Sequence, residues 1–380
     1  MKSGGTETRA LQLFLGAGWV ARPIFLICKT YSRGQGSGRF ARAVWRLEPD
    51  PTFTRDVVER GLLATPFTLL DIGSRGGIAE HWRVFGTALR ELAVEPDPDE
   101  PGVNAVLGAA PGSATFLHRS FPATDGLYRM DELFGDTVIE PITGVVSSET
   151  VATTTLVDVF GAETLSAVDF VKLDVEMAEL DVLRGAGPLL GSVLAIELEV
   201  HFPKRPREAG SFAEIDLFLQ EHGYELYDLE TYRYSRASFA APRLYDYRQP
   251  DGTRDPLGAN VEGQILTGDA LYVTTSIPSG ERALKLACIF ELHRLRDCAV
   301  DLLARSPVPG ADVELLKRPR DALLDRDGEP WGPNFHVFED LWHLRWPEYP
   351  GARPVPPLPL PPRFRDALVA MLKRRLRLAP

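Results

Sequence analysis

The sequence predicts an α/β fold, a doubly wound and mostly parallel sheet with helices on both faces. Short buried runs typical of strands alternate with segments of helical spacing between residues 67 and 275. The 380 residues are 44% hydrophobic and 25% charged, which are ordinary globular proportions and exclude a wholly disordered chain. The net charge of −11 disfavours binding to a phosphate backbone, so we expect no nucleic-acid partner.

The elements follow one another in a regular order. FTLLDIG predicts a first strand ending at Asp71, followed by the turn SRGG and a helix in IAEHWRVFGTAL. ELAVEPD predicts a second strand ending at Glu95, NAVLGAA a third, and GSATFLH a short hairpin partner. VDFVKLDVE predicts a strand ending in two carboxylates, AELDVLRGAGPLL a helix, and SVLAIELEVHF another strand. SFAEIDLFLQEHG predicts a helix stopped by Gly223, and YELYDLE and DALYVTT two last strands.

We expect three parts: an N-terminal helical extension (1–64), a core (65–276) and a C-terminal helical extension (277–380). The apolar stretch 11–28 is interrupted by Arg22 and Pro23 and is too short to span a bilayer, so it is either a packed helix or an interfacial anchor. Three scattered cysteines exclude a disulfide framework and favour reduced thiols in a cytoplasmic protein.

Two segments suggest contacts with other molecules. Six of the ten tyrosines lie between residues 224 and 247, inside an aromatic-rich insertion predicted over 224–267. These rings form either a lid that binds an acceptor molecule or a cover for the sheet edge. The basic amphipathic helix predicted near the C-terminus indicates peripheral membrane contact through 363–380 or docking on the acidic main domain. The oligomeric state does not follow from the sequence.

The glycine turn after the first strand and the acidic end of the second point to a nucleoside. Glycines let the backbone approach a ligand closely at the carboxyl ends of parallel strands. Arg75 stands where the dinucleotide fingerprint has its second glycine, which argues against NAD or FAD. Glu95 follows Asp71 by 24 residues, near the roughly 20-residue offset of a carboxylate that binds a ribose diol. The alternative is that Glu95 interacts with the dipole of a following helix.

The phrases LLDIGSRGG, AVEPDP, TTTLVDVF, VDFVKLDVEMAELDVLRGAGPLL and IELEVHF, in this order, resemble the FkbM family of S-adenosylmethionine-dependent methyltransferases. The resemblance covers roughly residues 65–275. It implies a Rossmann-like class I methyltransferase fold, a seven-stranded sheet whose last strand, DALYVTT, is antiparallel. It also implies transfer of a methyl group to a hydroxyl oxygen of a saccharide or secondary metabolite. Two positions depart from the family pattern, Arg75 in place of Asn and Met177 in place of Gly.

The resemblance also assigns roles to residues. The methionine part of S-adenosylmethionine would lie on the first turn, its ribose beside Glu95, its adenine near Ala109 and Ala110, and its reactive end beside Asp174. The expected cofactor-binding residues are Asp71, Gly73, Ser74, Arg75, Gly77, Glu95, Pro96, Ala110 and Asp174. Arg75 could hold the cofactor carboxylate as a fork, whereas Met177 would narrow the entrance near Asp174.

Methyl transfer to a hydroxyl requires removal of a proton, and four side chains near strand ends are candidates. Asp174 and Glu176 alternate along the predicted strand, as do Glu199 and His201 along the next. His201 is the most attractive base because its ordinary pKa lies near neutrality, unless it is a satisfied loop histidine. The alternative is a divalent cation, Mg²⁺ or Mn²⁺, held by Asp174, Glu199 and His201, although no ligand spacing demands a metal.

Two other functions remain open at this point. One is a protein with a methyltransferase fold that binds a ligand but does not catalyse transfer, as the departures from the family pattern at Arg75 and Met177 would indicate. The other is a nicotinamide-dependent oxidoreductase, which the missing fingerprint glycine disfavours.

Overall fold

A computed structural model describes residues 51–203, 209–239 and 263–317, all within the compact unit Gly38–Arg318. Several predicted segments lie outside the described residues: the apolar stretch 11–28, the insertion from 240 to 262 with Tyr245 and Tyr247, and the final helix within 363–380. Among the helices that are described, none has the length and apolar character needed to cross a bilayer.

The described residues form nine strands: β1 Phe67–Ile72, β2 Leu89–Val94, β3 Val106–Leu107, β4 Gly112–Arg119, β5 Val145–Thr154, β6 Phe170–Leu173, β7 Ala195–His201, β8 Tyr224–Tyr234 and β9 Gln264–Thr274. Six of them form the main sheet in the order β2-β1-β6-β7-β9-β8. Neighbours from β2 to β7 are parallel, and β9 is antiparallel to both β7 and β8. The expected antiparallel strand DALYVTT is therefore present, within β9.

The described main sheet has six strands rather than the expected seven. The third predicted strand is reduced to β3, which pairs with β5 in a separate sheet of order β3-β5-β4. The expected hairpin between NAVLGAA and GSATFLH is also wrong, because β4 pairs antiparallel with β5 and not with β3. An isolated parallel bridge between Val94 and Val103 forms just before β3, at the edge of the main sheet.

Ten α-helices accompany the described strands: α1 Thr52–Glu59, α2 Asp131–Phe134, α3 Glu140–Thr143, α4 Leu156–Phe160, α5 Ala162–Ser166, α6 Glu179–Arg184, α7 Phe212–Glu221, α8 Glu281–Leu292, α9 Arg296–Arg305 and α10 Glu314–Lys317. The helix α7 begins with a capping box between Ser211 and Glu214, and Gly223 follows it with a left-handed φ of 82°. This agrees with the predicted helix and its stop.

Two predicted helices are shorter or tighter than expected. The segment after the first turn is a 3₁₀ helix over Glu80–Ala88, broken at Gly86, where φ is 51°. It is held by aromatic packing rather than by α-helical hydrogen bonds, since Phe67 stacks on Phe85 with ring centroids 4.2 Å apart. The predicted helix after VDFVKLDVE divides into α6 and a 3₁₀ turn over Gly187–Gly191.

Hydrophobic cores cover both faces of the main sheet. The strand β1 is buried along its whole length, as expected for a parallel strand with helices on both sides. Its alternation directs Leu70 and Ile72 into one core and Phe67 and Leu69 into the other. The first core includes residues of α6 and α7, and the second includes residues of α1, α8 and α9.

The helix α8 belongs to the core of this unit, because every residue from 283 to 292 is buried. Two of its charged side chains are satisfied inside the protein. The Lys285 ammonium lies 2.8 Å from the Asp169 carboxylate. The fully buried Glu291 carboxylate accepts hydrogen bonds from the backbone N–H groups of Phe53 (3.1 Å) and Thr54 (2.7 Å) at the start of α1.

Candidate functional site

The turn after β1 brings three strand ends together. The Gly73 N–H donates to the Val94 carbonyl at the end of β2 (2.9 Å), and the Asp174 N–H donates to the Ile72 carbonyl (2.9 Å). A Cβ added at Gly73, whose φ is 78°, would lie 1.7 Å from the Asp174 carbonyl oxygen. No other residue fits there, so the predicted glycine is required to bring β1 and the end of β6 into contact.

Glu95 follows β2 directly and lies at the neighbouring strand end. Its residue is 7% exposed, and one carboxylate oxygen accepts the Asp97 N–H at 3.2 Å. Burial raises the pKa of Glu95, although this N–H and the nearby Arg75 guanidinium oppose the rise. The Asn104 amide donates to the carbonyl oxygens of Glu95 and Pro96, which fixes the loop behind the carboxylate.

A cavity of about 830 Å³ opens over the carboxyl ends of β1, β2 and β6. This volume lies within the range of about 300–1,000 Å³ typical of small-molecule sites. Five of the sequence-predicted cofactor residues line it: Gly73, Arg75, Glu95, Pro96 and Asp174. The other four, Asp71, Ser74, Gly77 and Ala110, are not among its lining residues.

Two of those four side chains are buried beneath the turn. Within the described part of the chain, Asp71 Oδ1 and Ser74 Oγ have no hydrogen-bond partner, although the residues are only 5% and 2% exposed. Burial raises the pKa of Asp71 to about 6, while the Lys172 ammonium opposes the rise. Lys172 lies beside Asp71 in the sheet register and 3.0 Å from an oxygen of Asp174. These two carboxylates hold the pKa of Lys172 above its ordinary value even though burial favours its neutral form.

Arg75 lies among three carboxylates in the wall of the cavity. Its Nη2 donates to Asp97 Oδ2 at 2.8 Å and lies 3.7 Å from Glu95 Oε1, and its Nη1 lies 3.8 Å from Glu100 Oε1. All four side chains line the cavity. The two terminal nitrogens of the guanidinium thus face carboxylates of the protein, whereas the resemblance suggested that they would bind the carboxylate of the cofactor.

The carboxylates predicted for proton removal do come together, but not through strand alternation. The strand β6 ends at Leu173, and Glu176 and Met177 adopt left-handed φ values of 56° and 84° in the following turn. The turn is held by Glu179, whose Oε1 accepts the N–H groups of Val175 (3.0 Å) and Met177 (3.3 Å). Burial raises the pKa of Glu179 to about 8.

Asp174, Glu176 and Glu199 each direct a carboxylate oxygen to a common point, with the three oxygens within 4.8 Å of one another. Asp174 and Glu176 line the cavity, whereas Glu199 does not. Burial, followed by the charge of neighbouring carboxylates, raises the pKa of Glu176 and of Glu199 well above the ordinary range. This arrangement can hold a proton or a divalent cation.

His201 does not reach the cavity. It is 1% exposed, it is not among the lining residues, and its Nε2 lies 3.5 Å from Glu199 Oε2. The structure therefore places the histidine behind Glu199, and the three-residue set that could hold a cation contains Glu176 in its place.

Met177 likewise does not narrow the entrance near Asp174. Its side chain is 1% exposed and packs in a small apolar cluster with Met130, Leu133, Tyr234 and Leu266. The cavity lining includes its neighbours Glu176 and Ala178 but not Met177.

The second sheet contributes a wall that the sequence reasoning missed. Phe116 and His118 of β4 and Glu149 of β5 line the cavity, together with Asp125 from the following loop. The His118 ring lies 3.0 Å from Asp125 through Nδ1 and 3.0 Å from Glu149 through Nε2. These two hydrogen bonds raise the pKa of His118. The alternation of side chains along β4 is the one sequence signal that places Phe116 and His118 on the same face. No sequence pattern indicates that they lie beside Glu149.

The described tyrosines of the aromatic segment lie on β8 and do not line the cavity. The Tyr224 hydroxyl donates to the carbonyls of Leu190 and Val193, and Tyr227 stacks on Phe290. The Tyr232 hydroxyl donates to Asp269, and Tyr234 packs edge-on against Phe134. This part of the segment covers the sheet edge, and an acceptor-binding lid stays a prediction for the remainder.

Comparison with known proteins gives one family. Residues 75–226 match the family model described as the methyltransferase FkbM domain, which confirms the resemblance drawn from the sequence. The matched region begins at Arg75 in the first turn and ends within β8. It contains Glu95, the carboxylates after β6 and the second sheet. No curated protein matches the chain.

Proposed function

From the premise that residues 75–226 are a methyltransferase FkbM domain, we propose that the protein is an S-adenosylmethionine-dependent O-methyltransferase. Its acceptor is a hydroxyl group of a saccharide or secondary metabolite. The observation that carries the proposal is the cavity of about 830 Å³ over the ends of β1, β2 and β6, with Glu95 in its wall.

The volume of the cavity and the charge of its lining support a cofactor of this kind. The turn has left-handed φ at Gly73, Gly76 and Gly77, and Gly76, which lines the cavity, has open space beside it for a ligand to approach the backbone. Glu95 is suited to accept hydrogen bonds from both hydroxyls of a ribose. The lining has more carboxylates than basic groups, which suits a ligand that carries a sulfonium and an ammonium. When bound, S-adenosylmethionine supplies an activated methyl group.

The protein's own contribution is to orient the acceptor and to take its proton. An acceptor hydroxyl must approach in line with the bond that breaks, so positioning accounts for much of the rate. Glu176 is our proposed base, because it lines the cavity beside Asp174 and its carboxylate lies close to those of Asp174 and Glu199. Burial raises its pKa, which makes the ionised carboxylate a stronger proton acceptor while lowering the fraction that is ionised. The Glu199 carboxylate lies close enough to that of Glu176 to share the proton. On the side away from the cavity, His201 Nε2 lies 3.5 Å from Glu199 Oε2.

A divalent cation is the alternative means of activating the hydroxyl. The three oxygens of Asp174, Glu176 and Glu199 are the ligand type that Mg²⁺ and Mn²⁺ prefer, and their mutual distances allow one ion to contact all of them. Turnover measured with and without a chelator separates the two. We expect activity to survive chelation, and loss of activity that returns on adding Mg²⁺ or Mn²⁺ would favour the cation.

The test of the function itself has two stages. Calorimetry should detect binding of S-adenosylmethionine and S-adenosylhomocysteine, and this binding should weaken in Glu95→Gln. Methyl transfer is then followed with labelled cofactor against a panel of saccharides and hydroxylated natural products. Binding without transfer to any acceptor would favour a scaffold that no longer catalyses. Binding of NADH, measured by fluorescence, in place of the sulfonium cofactor would favour an oxidoreductase.

A further inference from the structure

We propose that Arg75 competes with the cofactor ribose for Glu95 and thereby lowers cofactor affinity. The inference rests on the proposed function, because it assumes that Glu95 receives the ribose. It differs from the role suggested by the resemblance, in which Arg75 would hold the cofactor carboxylate.

The contacts of Arg75 carry the proposal. Its guanidinium is held over the second strand end by Asp97, with a hydrogen bond of 2.8 Å from Nη2. The same Nη2 lies only 3.7 Å from Glu95 Oε1, too far for a hydrogen bond but close enough for ionic attraction. Both side chains face the same cavity, so a ribose hydroxyl that approaches Glu95 meets the guanidinium beside it.

Burial makes this competition significant. The side chain of Glu95 is 8% exposed and that of Arg75 is 29% exposed, so water screens their attraction only in part. The guanidinium also reduces the negative potential that would attract a sulfonium cation to the cavity. The charge of Arg75 therefore acts against binding both at Glu95 and across the cavity.

Asp97 controls how strongly Arg75 competes. While Asp97 accepts the hydrogen bond from Nη2, the guanidinium stays at a distance from Glu95. The loop itself has a separate connection, since the Gly76 N–H donates to Glu100 at 3.1 Å. Removing the Arg75 charge should therefore leave the two loops joined, whereas removing the Asp97 charge should release the guanidinium toward Glu95.

The experiment is calorimetric titration of the full-length protein with S-adenosylhomocysteine, using Arg75→Gln, Arg75→Lys and Asp97→Asn. We expect Arg75→Gln to bind about twofold to fivefold more tightly, the range for a partly exposed ion pair. Arg75→Lys, which keeps the charge, should stay near the wild-type affinity. Asp97→Asn should bind more weakly by a similar factor, and Arg75→Gln added to it should restore tight binding.

The outcomes separate this inference from the proposed function. Equal or weaker binding by Arg75→Gln, in a variant whose thermal unfolding matches the wild type, would overturn the inference and leave the function intact. Weaker binding in both Arg75 variants would indicate that the guanidinium supports the site. Absence of binding in the wild type and in every folded variant would overturn the proposed function and the inference together.

Discussion

Replacing Met177 tests a conflict between backbone conformation and packing. The residue has a φ of 84°, in the left-handed region that disfavours any side chain with a Cβ. Its side chain is nevertheless 1% exposed and packs in the cluster with Met130, Leu133 and Leu266. Alanine removes the packing but keeps the backbone conflict, whereas glycine removes both.

The magnitudes follow from these two features. Truncating a buried methionine to alanine costs about 2–5 kcal/mol. A residue with a Cβ in the left-handed region costs about 1–2 kcal/mol, and glycine recovers this at an entropic cost of about 0.5–1 kcal/mol. Both variants should therefore be less stable than the wild type, and Met177→Gly should be more stable than Met177→Ala by about 0.5–1 kcal/mol.

Urea unfolding, followed by circular dichroism, measures this order directly. The control is Leu266, a buried residue of the same cluster within β9 that has no left-handed φ. There, Leu266→Gly should be less stable than Leu266→Ala, since glycine weakens a strand interior. If glycine is also the worse residue at position 177, the conflict between backbone and side chain at Met177 does not exist.

Three further predictions concern ligand affinity, the contact between α8 and α1, and the pH dependence of stability. Glu95→Gln should weaken S-adenosylhomocysteine binding at least about tenfold by calorimetry, whereas Glu91→Gln, a change at an exposed residue, should leave the affinity unchanged. If Glu95→Gln binds as tightly as the wild type, Glu95 does not contact the ribose. Glu291→Gln should lower the free energy of unfolding by about 2–3 kcal/mol, because two backbone N–H donors of α1 lose a carboxylate; a change below about 0.5 kcal/mol would contradict this role. The raised pKa of Asp71, about 6 in the folded protein against 3.8, means that its stabilising contribution is complete below pH 4 and is lost as pH rises to 6. The stability difference between wild type and Asp71→Asn, from urea unfolding, should therefore shift against the wild type by roughly 2–3 kcal/mol over that interval; a difference independent of pH would refute it.

The sequence predicted the central strands well because their signal is local. The strands β1, β2, β6 and β7 are short runs of β-forming residues, and glycine or acidic residues follow β1, β2 and β6 directly. The two positions that define the crevice, Gly73 and Glu95, follow from this pattern alone. Their location at adjacent strand ends is a direct consequence of a parallel sheet.

The carboxylate cluster and the second sheet could not be predicted, because they depend on contacts between residues far apart in the sequence. The carboxylates of Glu176 and Glu199 meet because a left-handed turn redirects the chain after Leu173, and the sequence carried no glycine to signal that turn. The pairing of β3 with β5, about 47 residues later, could not be read from either segment. His118 lines the cavity because it lies on β4 of this second sheet, so its position could not be predicted either.

The buried helix α8 has a consequence for how the chain folds during synthesis. Its residues 283–292 close over strand residues that leave the ribosome far earlier, such as Phe67 and Phe170, and its Glu291 reaches back to Thr54. Until α8 emerges from the ribosome, the apolar side chains that share this core with it have only part of their packing partners. The second core is therefore completed only after translation has passed well beyond residue 226, where the match to the family model ends.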